Sequence, residues 1–182
     1  MSIIKANIDN KNTYLSIVKH LIAKIDKNTI IICIGSDKCI GDSLGPLVGT
    51  LLKSCNFPLP TYGSLDAPIH ALNIERELTN ITSLHPNSSI IGIDACLGNK
   101  NSIGDVHLRD YPIHPGKGVG KSLPDIGNIS LIGIVDSIDN SKCFTSRPIR
   151  LSFILDMAIF IVNCLTSSIS WKYKEIVNLN HN

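Results

Sequence analysis

Two aspartates carry the chemistry this chain offers. Asp42 follows the apolar run Ile30-Ile31-Ile32-Cys33-Ile34 and a short loop, Gly35 to Gly41, and it stands at the mouth of the next helix. Asp94 directly follows a second apolar run, Ile90-Ile91-Gly92-Ile93. Such runs, bounded by turn residues, read as buried strands, and parallel strands end on one edge of their sheet. Two carboxylates held close cannot both ionise easily, so one keeps its proton near neutral pH. The ionised member can then activate a water while the protonated one polarises a carbonyl. The same pair can instead hold a divalent metal that acidifies the water. Both routes point to hydrolysis of an amide or ester. Each residue also has a plainer reading. An aspartate before a helix is a favoured N-cap, worth about 1 kcal/mol, and an aspartate after a strand often makes an Asx-turn.

A third element is Ile113-His114-Pro115-Gly116-Lys117-Gly118-Val119-Gly120-Lys121. Gly116, Gly118 and Gly120, with Val119 between them, allow a backbone to approach a ligand and to point N–H groups at an anion. The run Gly116 to Lys121 is one residue short of a P-loop and no apolar strand precedes it, which argues against nucleotide binding. An oxyanion donor loop or a tight surface turn fits better. His114 can act as a base or a metal ligand, although a lone loop histidine is more often neither. His70 falls in the first turn of the expected third helix, where an ordinary helix residue is the favoured reading. Cys39 and Cys96 flank the two acids. A nucleophilic role would need a histidine partner and a lowered pKa, and buried structural thiols are the favoured reading.

The elements that must position these residues alternate along the chain. Leu15, Val18, Leu21, Ile22 and Ile25 recur at helical spacing after a cap at Asn12 or Thr13. The Ile30 strand follows. A second helix, capped by Asp42 or Ser43 and carrying Pro46 in its first turn, runs to about Cys55. Pro58 to Tyr62 reads as a short edge strand, and Asp66-Ala-Pro68 as the start of a third helix bearing Leu72, Ile74, Leu78 and Ile81. Strands are expected at Ser89–Ile93, Val106–Leu108 and Ile129–Val135. Pro148 opens a long apolar helix to about Leu165, extending after a kink near Ser167 to Asn178. Alternation of this kind gives one α/β domain, residues 1–182, with a largely parallel sheet and helices on both faces.

The chain has 182 residues, 43% hydrophobic and 18% charged, with a formal net charge of +2. That is a globular composition with a sizeable core. Lys and Arg are scattered singly, which argues against nucleic acid as the main partner. Six cysteines show no metal-finger spacing, and Met1 to Lys11 has no apolar core of a signal peptide. Reduced thiols in a cytoplasm are therefore expected. The stretch Phe153 to Leu165 is interrupted by Asp156 and is short for a bilayer span of about 20 residues, so no membrane is expected. A homo-oligomer is left open.

Four of these segments together resemble the YyaC family of sporulation proteins from spore-forming Firmicutes: Gly35 to Pro46, Tyr62-Gly63-Ser64 with Pro68-Ile69-His70-Ala71, Ile93-Asp94-Ala95-Cys96, and Pro115 to Lys121. The resemblance runs from Ile30 to the last helix. That family is similar in turn to the germination protease of spores, which degrades small acid-soluble spore proteins, and to the hydrogenase maturation proteases. The resemblance implies a three-layer α/β/α sandwich with a mixed, largely parallel sheet, of the hydrogenase maturation protease-like (phosphorylase/hydrolase-like) type. It implies a peptidase dyad of Asp42 and Asp94, with substrate bound by the Gly116–Gly120 loop, His114 and His70. It implies a peptide or protein substrate, small acid-soluble spore proteins among the candidates, met in the cytoplasm of the sporulating cell or spore. No cofactor is required; if a divalent metal takes part, Asp42, Asp94 and His114 are its candidate ligands. Ser36 and Gly41 depart from the maturation proteases, which have an Asn and an acid at those places. The alternatives are a non-catalytic regulatory or binding protein of sporulation, and a metal-dependent amide hydrolase.

Overall fold

The computed structural model of the chain describes residues 2–10, 13–115, 123–138 and 149–179. Among them lie six strands and four α-helices: β1 (Ile3–Asn7), α1 (Tyr14–Lys24), β2 (Thr29–Cys33), α2 (Leu44–Ser54), β3 (Thr61–Tyr62), α3 (Ile74–Leu84), β4 (Ser89–Gly98), β5 (Asp105–Arg109), β6 (Ile129–Ser137) and α4 (Leu151–Leu179). The strands form one sheet in the order β1-β5-β6-β4-β2-β3. β3, β2, β4 and β6 run parallel, whereas β5 is antiparallel to both β6 and β1. The expected α/β class with a mixed, mostly parallel sheet is what the chain forms.

Side chains alternate across each strand, so the sheet divides its Ile and Leu residues between two cores. On one face Ile31, Cys33, Ile91, Ile93, Leu131 and Leu108 pack under α1, α2 and α4. On the other face Ile30, Ile32, Ile34, Ile132 and Ile134 pack under α3 and the Ile113 and Ile126 side chains. β2 is buried over its whole length, as its unbroken apolar run requires.

The chain leaves β2 through α2 to reach β3 on one side. It returns through α3 to β4 on the other side of β2, and then moves further out to β5 and β6. β2 and β4 are thus neighbours whose onward connections depart in opposite directions. Such a switch point opens a crevice at the carboxyl ends of the two strands.

Several local expectations are corrected. β1 lies in the segment read as polar; it is an edge strand that buries only Ala6 fully, so its apolar signal is weak. Leu15 is exposed, and Ile17 takes its place in the core. Thr13 holds the N-cap position of α1, without a side-chain capping bond; Asn12 lies outside the described residues. The third helix does not start at Asp66. Ile69 is drawn into the sheet beside Ile34, and Gly35 N donates to Ile69 O at 2.8 Å. Asn73 Oδ1 then accepts the His70 amide at 2.8 Å, and the helix begins at Ile74, leaving Leu72 81% exposed. β4 continues past Asp94 to Gly98 because β6 runs beside it as far as Ser137. Helix α4 runs unbroken past Ser167 to Leu179, as expected of a helix that extends beyond that residue. From Leu151 to Lys174 it is long and apolar enough to cross a membrane by length and composition. Its residues Ile154, Met157, Ala158, Ile161, Cys164 and Leu165 are nevertheless fully buried in the sheet's larger core.

Helix α2 meets the end of β2 backbone to backbone. A Cβ on Gly45 would stand 2.0 Å from the Ile34 carbonyl oxygen, and one on Gly49 1.9 Å from that of Gly63. Gly45→Ala is expected to cost at least about 2 kcal/mol, because main chain cannot yield as a side chain can. Urea denaturation of variant and parent checks this; an unchanged midpoint contradicts it.

Candidate active site

β2 ends at Cys33, but Ile34 N still donates to Ile93 O at 2.8 Å, so Ile34 and Asp94 lie side by side at the carboxyl end of the sheet. The chain then reverses. Gly35 adopts φ +137°, and a Cβ there would sit 2.0 Å from the Asp42 carbonyl oxygen. Only glycine fits that backbone and that contact. Ser36 N donates to the same carbonyl at 3.0 Å, closing the loop onto a single 3₁₀ turn, Ile40–Asp42. Ser43, and not Asp42, holds the N-cap position of α2. Its hydroxyl donates to Ile40 O at 2.7 Å, and no side chain caps the helix. The plainer reading of Asp42 is thereby set aside: its carboxyl group is not engaged at the helix end.

Asp94 stands within β4 opposite Ile132 of β6, not after the end of the strand as expected. One of its oxygens accepts the Ala95 amide at 2.8 Å. The residue lies deep among protein atoms yet keeps a solvent-accessible edge.

The electrostatics tie the two acids together. Burial pushes the Asp42 carboxyl up to about 6, opposed by the Ser36 amide and by the charge of His70. Burial also pushes Asp94 up to about 8, and the negative charge of Asp42 adds to the rise. The Ala95 amide and the Arg109 guanidinium act the other way on Asp94. Asp94 thus lies within the field of the Asp42 carboxylate at the carboxyl end of the sheet.

His70 belongs to this neighbourhood. It lies before α3, not in its first turn, and follows the Ile69 that pairs with Ile34. The reading of His70 as a helix residue is corrected by that pairing. Arg109, on β5, was not singled out from the sequence. The alternation Asp105-Val-His-Leu-Arg109, with Val106 and Leu108 in the larger core, puts Asp105, His107 and Arg109 on the face that carries Asp94. That periodicity was the available signal.

His114 Nδ1 pairs with Asp125 Oδ1 at 2.5 Å, both half-exposed, at the base of the glycine loop. Gly116, Gly118, Val119 and Gly120 lie outside the described residues. Among the described residues no three His, Cys, Asp or Glu side chains gather as a metal site requires. Cys39 and Cys96 are half-buried, Cys96 packs against the second core and its Sγ donates to Leu97 O at 3.1 Å, and no disulfide joins the described cysteines.

Both carboxyl groups bind protons more tightly folded than unfolded. Their contribution to stability is full below pH of about 4 and is lost as pH rises through about 6 and then about 8. Asp94→Asn, which cannot ionise, should therefore gain thermal stability over the parent as pH rises, by on the order of 5 °C at pH 9. Melting curves from pH 4 to 9 check this; a constant difference between the two proteins contradicts it.

A family described as "Protein of unknown function (DUF1256)" matches residues 5–164 of the chain. The Bacillus subtilis (strain 168) protein described as "Uncharacterized protein YyaC" is 37% identical over 153 residues, which span 82% of this chain and 75% of that protein. The segments at Gly35–Pro46 and Ile93–Cys96, which build the crevice, fall inside the matched region. The chain belongs to this DUF1256 family, alongside YyaC as a relative.

Proposed function

We propose that this protein is a peptidase of the spore-protease type, in which Asp42 and Asp94 act as a proton-sharing dyad. The observation that carries the proposal is that Asp94 lies beside Ile34, at the strand end onto which the loop bearing Asp42 folds back, with both carboxyl groups raised above their ordinary range and the Asp42 charge adding to the rise at Asp94. Asp42 is pushed up to about 6 and Asp94 to about 8, so the pair shares one proton near neutrality. Asp42, with the Ser36 amide and His70 beside it, is the member that ionises first. It takes a proton from the attacking water. Asp94 keeps its proton, donates it toward the carbonyl oxygen and then delivers it to the departing amine. One water is consumed, one peptide bond breaks, and the dyad returns to its starting state after the proton on Asp42 passes to Asp94.

The resemblance of the Asp42 and Asp94 segments to the germination protease supports a protein substrate and makes small acid-soluble spore proteins the first to test. The reaction needs no resident metal in this scheme. The place of action would be the cytoplasm of the sporulating cell or the spore.

Purified protein incubated with small acid-soluble spore proteins should release fragments, and Asp42→Asn and Asp94→Asn should each lower the rate by a factor on the order of 100 or more. Absence of cleavage, or equal cleavage by the variants, rejects the peptidase. The rate should follow a bell in pH, with limbs set by the pair. His70→Asn removes a positive neighbour of Asp42, so the acid limb should move to higher pH. An unmoved limb separates His70 from the dyad.

A further inference from the structure

We propose that the substrate binds as an extended strand laid along the β2-facing edge of β4, above the end of β2, with two consecutive large apolar side chains held by Ile40 on one face and Leu72 on the other. This rests on the peptidase reading above and deepens it by naming how the substrate is held and which side chains it carries.

The basis is a strand that outlasts its neighbour. On one side β4 pairs with β6 as far as Gly98 and Ser137. On the other side its ladder with β2 stops at Cys33 and Ile93, with one further bond from Ile34 N to Ile93 O at 2.8 Å. Beyond Ile93 no strand among the described residues pairs with β4 on that side, and Ala95, Leu97 and Gly98 keep part of their surface exposed. Ile93 turns its carbonyl toward β2, so by strand alternation the main-chain groups of Ala95 face the same side. The Ala95 amide is satisfied from within β4 alone, by Asp94 Oδ1 at 2.8 Å. The chain leaves β2 at Gly35 toward α2, and Ile69 stands across from β4 as the other partner of Ile34. The gap above Ile34 is therefore two strand spacings wide, about 10 Å, which is the room one extended chain occupies in a sheet.

The side chains around this gap are apolar without serving the core. Among the described residues four exposed large apolar side chains lie outside the strands and α-helices, Ile40, Leu65, Leu72 and Ile138, and all four lie in segments that leave the carboxyl ends of parallel strands. Ile40 is 45% exposed in the 3₁₀ turn of Asp42, which touches α2 and α4 and so lies on their face of the sheet. Leu72 is 81% exposed just before α3, on the opposite face, and its amide donates to His70 Nδ1 at 3.3 Å. A folded partner or a second copy pressed over this rim would seal two carboxyl groups from water with no groups spaced to bond them. An extended chain brings an N–H and a C=O with every residue, and it adds to a strand edge main chain to main chain. Its carbonyl that takes the Ala95 amide in place of Asp94 comes to lie against the Asp94 carboxyl, where the hydrolytic scheme needs it. Its successive side chains turn to opposite faces, one to Ile40 and the next to Leu72.

Three acetylated, amidated octapeptides of Ser, Thr and Gly test this. The first has a central Leu-Leu, the second has Ala-Ala there, and the third is the Leu-Leu peptide N-methylated at alternate residues, which keeps its side chains and removes its strand donors. Binding is measured by calorimetry to the full chain carrying Asp42→Asn, so that turnover does not intrude and the β4 edge is unaltered. The Leu-Leu peptide should bind at least tenfold more tightly than either of the others. Adding Leu72→Ser should remove its advantage over the Ala-Ala peptide. Leu84→Ser, which removes a leucine 69% exposed at the far end of α3, should leave that advantage intact. The Ala95 amide signal in NMR should shift and exchange more slowly with the Leu-Leu peptide alone. Equal affinity for the three peptides, no binding of any, undiminished binding after N-methylation, or a preference that survives Leu72→Ser overturns the proposal. A dimer in sedimentation that Leu72→Ser dissolves places a second copy on the rim and likewise overturns it. Hydrolysis of the same peptides by the unsubstituted chain is a separate reading: selective binding without cleavage rejects the peptidase and leaves the strand site standing, and cleavage without preference rejects the strand site alone.

Discussion

The position of Asp42 depends on a contact between backbones. Helix α2 approaches β2 so closely that Gly45 lies against the Ile34 carbonyl, and the returning loop lays the Asp42 carbonyl against Gly35. No side chain can mediate at these distances, so the helix, the loop and the strand end form a single rigid corner. The 3₁₀ turn at Ile40–Asp42 follows from it, because only a tight turn can link a loop folded back on β2 to a helix pressed against the same strand. A loop that holds a carboxyl group in place by main-chain contact does not depend on neighbouring rotamers for its accuracy.

The second constraint is electrical. Two neighbouring carboxyl groups withdrawn from water ionise one after the other, and the flanking groups decide the order. Burial raises both; His70 and the Ser36 amide favour charge on Asp42, while the charge on Asp42 holds Asp94 protonated. Arg109 relieves part of the burden on Asp94 without pairing with it. The sheet supplies this asymmetry through topology alone: Asp42 comes from the loop after β2, Asp94 from within β4, and Arg109 from an antiparallel strand beyond β6.

The parts legible in the sequence were those with strong local signals. The apolar runs at Ile30 and Ile90 gave β2 and the first half of β4, and the helical period gave α1, α2 and the core of α4. Asp42 and Asp94 were legible because each follows such a run. What escaped was set by partners distant in the chain. β1 is an edge strand with one buried residue, and it shows itself only through its pairing with β5. The late start of α3 depends on Ile69 joining Ile34, a contact between segments separated by a whole helix. The extension of β4 past Asp94 depends on β6. The Ile69 pairing brings His70 near Asp42, and the β5 pairing puts Arg109 on the face that carries Asp94, so neither could be placed before the register was known. His114, by contrast, was visible as a residue but is engaged with Asp125.

The two edges of the sheet differ in kind but share an outcome. β3 offers only Thr61 and Tyr62, and the five-residue β1 at the far side presents the exposed Lys5 in its middle. A two-residue ledge is too short to recruit another strand, and a central lysine opposes one. Growth of the isoleucine-rich sheet from molecule to molecule is thus disfavoured at both ends. Both edges of the sheet are thus poor templates for a strand from another molecule.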